Sequence, residues 1–132
     1  MSIMDEYKQK CVTADQAVQV IQSGDWVEFA WAASFATTLA DAIARRKEEL
    51  TDVNLRGGIM LKPLPFIEQD PEGKTFTWNS MHMSGYERKL ARKGMAYYVP
   101  IKYSEVPRYI RENWFERLEW DADNQGNHII HT

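Results

Sequence analysis

One cysteine and five prolines in 132 residues leave no basis for a disulfide-stapled or proline-rich architecture. Cys11 alone cannot close an intrachain disulfide, and such sparse use of cysteine points to a reducing compartment. No apolar run approaches the ~20 residues needed to cross a bilayer, and Met1 to Lys10 is polar rather than shaped like a signal peptide. The expectation is a soluble, cytoplasmic protein with no membrane partner. Basic charge is not in excess either, since 16 Lys and Arg stand against 19 Asp and Glu. Four of those acids, Glu116, Glu119, Asp121 and Asp123, follow Trp114 with only Arg117 against them, leaving 15 of each sign before residue 115. Nothing there would drive counterion release, so no nucleic-acid partner is expected. Phosphate cradles of the G-x-x-x-x-G-K-[ST] and G-x-G-x-x-G kinds are absent. His128 and His131 have no Glu or Cys beside them to complete a zinc set, and no metal site is predicted.

What is present is globular. A 44% hydrophobic, 12% aromatic chain of this length fits one compact domain and excludes a disordered one. Thr13 with Gln16 forms a capping box ahead of Ala14, Ala17, Val18 and Ile21, which recur on one helical face until Ser23-Gly24 stops them. Trp26 to Trp31 then reads as a strand, and Thr38 to Leu50 as a second helix with Asp41 near its start and Arg45-Arg46-Lys47 near its end. Val53 to Leu61 reads as a strand interrupted at Gly57-Gly58, where missing side chains permit a bulge or the close approach of another backbone. Pro63, Pro65 and Pro71 are expected to keep Lys62 to Gly73 irregular. Thr75 to Trp78 alternates as a half-buried strand. Ser84 and Glu87 form another capping box before a helix ending at Gly94, and Met95 to Ile101 supplies one more strand. Ser104 is expected to cap a last helix over Glu105 to Asn113, with Pro107 in its first turn. Strands alternating with helices predict an α/β domain over residues 1–114, its mainly parallel sheet covered by helices. Residues 115–132 lose both periods and read as a divergent acidic tail, disordered or truncated.

In such a sheet, ligands sit beyond the carboxyl ends of the strands, which selects Ala32 to Thr38, Gly57 to Pro65 and Asn79 to Ser84. Ser34, Thr37 and Thr38 lie where a helix N-terminus offers amides to an anionic or carbonyl oxygen, with plain N-capping an equally good reading. His82 lies among Asn79, Met81, Met83 and Ser84, able to meet a small acyl or carboxylate ligand or to serve as a structural histidine. Arg88, Lys89, Arg92 and Lys93 read as a solvated face, and Cys11 as inert.

Several motifs in order carry a resemblance. Tyr7-Lys8-x-Lys10, Thr13 to Val18, Ser23 to Val27, Phe76-x-Trp78-Asn79-Ser80-x-His82-x-Ser84-Gly85-x-Glu87-Arg88-Lys89, Lys93 to Ala96 and Tyr103 to Arg108 together resemble the acetyl-CoA hydrolase/transferase family. The similarity is strongest to its butyryl-CoA:acetate and 4-hydroxybutyrate CoA-transferase branch and covers about Tyr7 to Trp114. The resemblance implies the N-terminal domain of a CoA-transferase fold, one of two similar halves meeting across a cleft. It also implies a glutamate in the second half that attacks the acyl-CoA, forming an acyl-glutamyl anhydride and then a glutamyl-CoA thioester. Exclusion of water would protect both intermediates.

By the family's loop positions, Ser34, Phe35, Thr37, Asn79, His82 and Ser84 are expected to face the substrate, and no catalytic residue is assigned to this chain. Coenzyme A enters as a thioester substrate, with no permanently bound cofactor. The function implied is the N-terminal part of an enzyme moving CoA between an acyl-CoA and a short carboxylic acid such as acetate or butyrate, inactive without the catalytic half. The alternative is a non-catalytic module that self-associates, as a homo-oligomer, or pairs with a separate C-terminal subunit.

Overall fold

The computed structural model describes residues 2–112 and 130–131. Helix α1 (Ile3–Lys10) and the short α2 (Ala14–Ala17) lead through a 3-10 turn, Val18–Val20, to β1 (Trp26–Glu28). A second 3-10 turn, Ala32–Ser34, precedes α3 (Thr37–Arg45), which is followed by β2 (Val53–Gly57), α4 (Pro65–Gln69), β3 (Phe76–Ser80) and α5 (Gly85–Arg92). Strand β4 (Tyr97–Tyr98), a 3-10 turn at Tyr103–Glu105, α6 (Val106–Arg111) and β5 (Ile130–His131) complete the described chain.

The sheet order is β4-β3-β2-β1-β5 and every pairing is parallel. This is the α/β architecture that the alternation of strands and capped helices predicts. The order runs outward from β1 in both directions, so the gap between β1 and β5 is a topological switch point, where such sheets leave a crevice. The proposed boundary at residue 114 and most of the acidic tail lie outside the described residues, whereas Ile130 and His131 pair with Val27 and Glu28.

Register decides what each face carries. Leu55 aligns with Val27 and Trp78, and Val53 with Phe76, which places these apolar side chains on one face. They pack with Phe29, with Ala40, Ile43 and Ala44 of α3, with Phe66 and Ile67 of α4 and with Leu90 of α5 in a single core. The other face takes Trp26, Glu28, Asn54, Arg56 and Asn79, all buried. Arg56, directly opposite Glu28 in the register, pairs with its carboxylate and lies 5.4 Å from the Trp26 ring centroid. A strand pair buried on both faces ordinarily carries apolar side chains on both, so this buried charge is a departure from the rule.

Local differences from the sequence reading have identifiable causes. Pro65 opens α4 rather than blocking it, because its missing N–H falls in the first turn, where no intrahelical partner is required. Helix α3 stops at Arg45, and Lys47 and Glu49 instead donate to carbonyls three residues back. Arg46 is diverted to the carbonyls of Val18 and Ile21, the latter at 3.0 Å. Ser104 does not cap the last helix, since the chain turns through Tyr103–Glu105 first and α6 begins with no side-chain cap. The strand expected over Met95 to Ile101 pairs only at Tyr97–Tyr98. Helix α1 was not anticipated, although Ser2 and Asp5 form a complete capping box. It buries no residue, so only local interactions support it: the capping box and a Lys10–Glu6 ion pair of 2.6 Å one turn apart. Among the described residues no helix is long and apolar enough to cross a membrane.

Candidate functional site

Three loops leave the carboxyl edge of the sheet side by side, after β1, β2 and β3. Their backbones are fastened to one another: Ala32 N–H donates to Gly58 C=O at 3.2 Å, and Ile59 N–H donates to His82 C=O at 2.7 Å. Gly58 makes this approach feasible, because a Cβ there would lie 3.2 Å from the His82 nitrogen and 3.3 Å from the Trp31 ring. Trp31 faces the His82 ring with centroids 6.4 Å apart and meets Tyr103 edge-on at 5.2 Å. Ala32 and Ile59 hold φ of 53° and 54°. The left-handed region costs an ordinary residue about 1–2 kcal/mol, and a β-branched one is a marked outlier there. Strain of this sort survives only where surrounding bonds over-determine it, and it concentrates at ligand sites.

The Ala32–Ser34 turn separates two openings. One, of about 160 Å³, is lined by Ala32, Ala33, Phe35, Thr37, Met60, Leu61 and Lys62. The other, a cleft of about 400 Å³ at the end of β1, is lined by Glu28, Phe29, Ala30, Trp31, Ser34, Tyr103, Val106 and Pro107. The cleft therefore sits at the switch-point strand.

The six residues selected from sequence fall into distinct settings. Ser34 is exposed in the cleft, and its N–H donates to the Trp31 carbonyl, so Trp31 links it to His82. Phe35 stacks on Phe29 at 4.7 Å while its other side lines the smaller pocket. Thr37, exposed, is the first residue of α3, whose N-cap Ala36 supplies no side-chain hydrogen bond. The plain N-capping alternative for this segment is therefore not what the helix uses. His82 is exposed beside Trp31. Asn79 is buried on the polar sheet face, donating to Asn54 at 3.4 Å, and Ser84 caps α5.

Sequence reasoning gave no substrate-site role to Trp31, Tyr103, Met60 or the Glu28–Arg56 pair. The pair did leave a signal: one acid and one base, each in the middle of an otherwise core-like strand. Also missed was the depth of Glu87, which is 0% exposed. Its Oε1 accepts from Trp78 Nε1–H at 3.0 Å and Ser80 Oγ–H at 2.6 Å, and its Oε2 from the N–H groups of Met60 at 2.9 Å and Ser84 at 2.7 Å. Next to it on α5, Tyr86 accepts a hydrogen bond from Leu64 N–H at 3.2 Å. Burial pushes the Tyr86 hydroxyl above its ordinary pKa, with Glu68 and Glu87 adding to the rise and the Leu64 hydrogen bond opposing it. Among the described residues, no three His, Cys, Asp or Glu side chains gather to hold a metal ion.

This geometry agrees with what sequence comparison finds. A family model for the acetyl-CoA hydrolase/transferase N-terminal domain matches residues 1–124. The chain belongs to that family. It is 45% identical over 119 residues to a butyryl-CoA:acetate CoA-transferase of Anaerostipes caccae, covering 90% of this chain and 26% of that protein. It is 41% identical over 111 residues to a probable butyrate:acetyl-CoA coenzyme A-transferase of Syntrophomonas wolfei, covering 84% and 25%. The fold matches RipA from Yersinia pestis with a TM-score of 0.73 at 24% identity, over 86% of this chain and 28% of that one. The CoA-transferase-family domain thus spans about a quarter of the curated relatives it matches.

Proposed function

We propose that this chain forms the N-terminal wall of the substrate site in an enzyme that moves CoA between an acyl-CoA and a short carboxylic acid such as acetate or butyrate. The observation that carries the reading is the small pocket between the first two loops. Its volume of about 160 Å³ compares with an apolar cavity of about 150 Å³ that holds benzene, so an acyl chain of a few carbons fits within it. Ala32, Ala33, Phe35, Met60 and Leu61 give it apolar walls. Thr37 and Lys62 at its lining, with the amides that open α3, suit a thioester or carboxylate oxygen. Ser34, Phe35, Thr37 and His82 meet the substrate from the edge, while Asn79 and Ser84 brace the third loop from behind.

The covalent carboxylate comes from outside this chain in this reading. Glu28 is paired with Arg56, and Glu87 already accepts four hydrogen bonds. Neither is placed as a nucleophile. The test is reconstitution: the purified chain is mixed with the Anaerostipes relative lacking its N-terminal quarter, then given butyryl-CoA and labelled acetate. Label should enter acetyl-CoA only when both parts are present. Turnover by the 132-residue chain alone that disappears on Glu28→Gln would overturn the reading.

A further inference from the structure

Glu87 bridges the two ends of the third loop, at Ser80 and Ser84, and reaches the second loop at Met60. Its two oxygens join β3, through Trp78 and Ser80, to the N-cap of α5 at Ser84 and to the backbone of Met60. Met60 is 3% exposed and follows Ile59, whose left-handed φ no helix or strand hydrogen bond enforces. On the side facing the third loop this turn is held by Ile59 N–H to His82 C=O and Met60 N–H to the Glu87 carboxylate. Met60 and Leu61 in turn form one wall of the smaller pocket.

We infer that Glu87 is a positioning residue: it holds the Met60 turn against the β3–α5 loop and thereby sets the width of the pocket. The inference rests on the transferase reading only for what the pocket binds. The geometry itself supplies the restraint. All four partners are donors, so the site requires an acceptor on both edges of the group. Leucine offers none. Glutamine offers one, and the orientation with its oxygen toward Met60 and Ser84 is favoured, because it sets the amide nitrogen against one fixed donor, the Trp78 indole N–H, with the Ser80 hydroxyl free to turn and accept, whereas the reverse sets it against two backbone N–H groups.

The control is Asp70, a carboxylate of similar burial at the opposite edge of the sheet, accepting from the N–H groups of Lys74, Thr75 and Phe76. Amide exchange is measured on the full chain as wild type, Glu87→Leu, Glu87→Gln and Asp70→Asn. Glu87→Leu should speed exchange at Met60 and Ser84 at least about tenfold more than at Leu55 and Phe76. Glu87→Gln should restore Met60 while moving the Trp78 indole N–H resonance, and Asp70→Asn should leave the ratio of Met60 to Leu55 unchanged. In the reconstituted enzyme, Glu87→Leu should reduce the preference for butyryl-CoA over octanoyl-CoA, read as kcat/KM, by about tenfold or more. Asp70→Asn should not alter that preference.

Uniform acceleration of all amides in Glu87→Leu, or unchanged Met60 exchange, would overturn the inference. Should Glu87→Leu fail to fold, Glu87→Gln against Asp70→Asn still decides it: the Trp78 resonance must move while the Met60 ratio holds, and a Met60 ratio altered equally by both variants counts against it. Absence of transfer with the wild-type chain would remove the transferase reading and leave the exchange result standing.

Discussion

At the amino edge of the sheet the chain turns through left-handed φ at Gly24 before β1, Asp52 before β2, Gly73 before β3 and Gly94 before β4. At the carboxyl edge the same conformation falls on Ala32 and Ile59. Glycine and aspartate tolerate it at little cost, whereas alanine and a β-branched residue do not. One edge is therefore built for stability, while the other holds strained backbone in place with hydrogen bonds between loops. The two edges also use their buried carboxylates differently. Asp70 serves three successive amides leading into β3, a local closure, while Glu87 ties separate loops together. Strain that is retained where glycine would relieve it marks the carboxyl edge as the place where conformation itself is needed.

The largest test of this contrast removes the amino-edge closure. Asp70→Ala leaves three amides without their acceptor and should cost about 3 kcal/mol in urea unfolding. Its pH dependence has a definite sign. Burial raises the Asp70 pKa, but the hydrogen bonds from Phe76, Thr75 and Lys74, with Lys47 nearby, outweigh it and hold the group below the ordinary 3.8. A depressed folded pKa contributes stability that is complete above the unfolded value and is lost as pH falls through the folded one. The advantage of wild type over Asp70→Ala should thus be full above about pH 4 and shrink in stronger acid.

Gly57→Ala probes the carboxyl edge by packing rather than hydrogen bonding. The added Cβ would lie 2.8 Å from the Trp78 ring and 3.3 Å from the Phe29 carbonyl, and a cost of about 2 kcal/mol is expected. Tyr86→Phe, which takes the acceptor from Leu64 N–H, should cost about 1 kcal/mol at neutral pH. Here the sign is reversed, because the folded pKa is raised above the ordinary 10.0. That contribution is complete below pH 10 and is lost as pH rises through the folded value, so the amino edge weakens in acid and the carboxyl edge in alkali.

The smallest effects are the most discriminating. Gly24→Ala meets no atom within 4 Å, so its expected cost of about 1 kcal/mol comes from φ alone. Ile59→Gly should change stability by less than about 0.5 kcal/mol, since relief of strain offsets both the added chain entropy and the lost contacts of a half-buried side chain. The same substitution should nevertheless loosen the Met60 turn in amide exchange. Equal losses for Gly24→Ala and Ile59→Gly would erase the distinction between the edges.

Much of the fold was legible because its signals are local. The Thr13–Gln16 and Ser84–Glu87 capping boxes form as their spacing implies, and the strand runs at Trp26, Val53, Phe76 and Tyr97 pair in parallel. The loops of the candidate site were legible from topology, since parallel strands present their following loops at one edge. Individual roles were harder to read. The Ser84–Glu87 spacing marks a helix start equally well whether Glu87 is solvated or, as here, fully buried. Pro65 looks like a breaker until its position in the first turn is known.

By itself, then, the sequence determined the class of domain, the alternation of its four central strands with capped helices, and the family, because capping, alternation and motif order act over a few residues, while α1, α4 and β5 were not among the elements read from it. Only the tertiary structure decided that Arg56 meets Glu28, that Gly58 admits Trp31 and His82, and that Glu87 binds Met60 from 27 positions away. Those contacts depend on sheet register and on the crossing of separate loops, and register is set by how the whole apolar face packs rather than by any single segment.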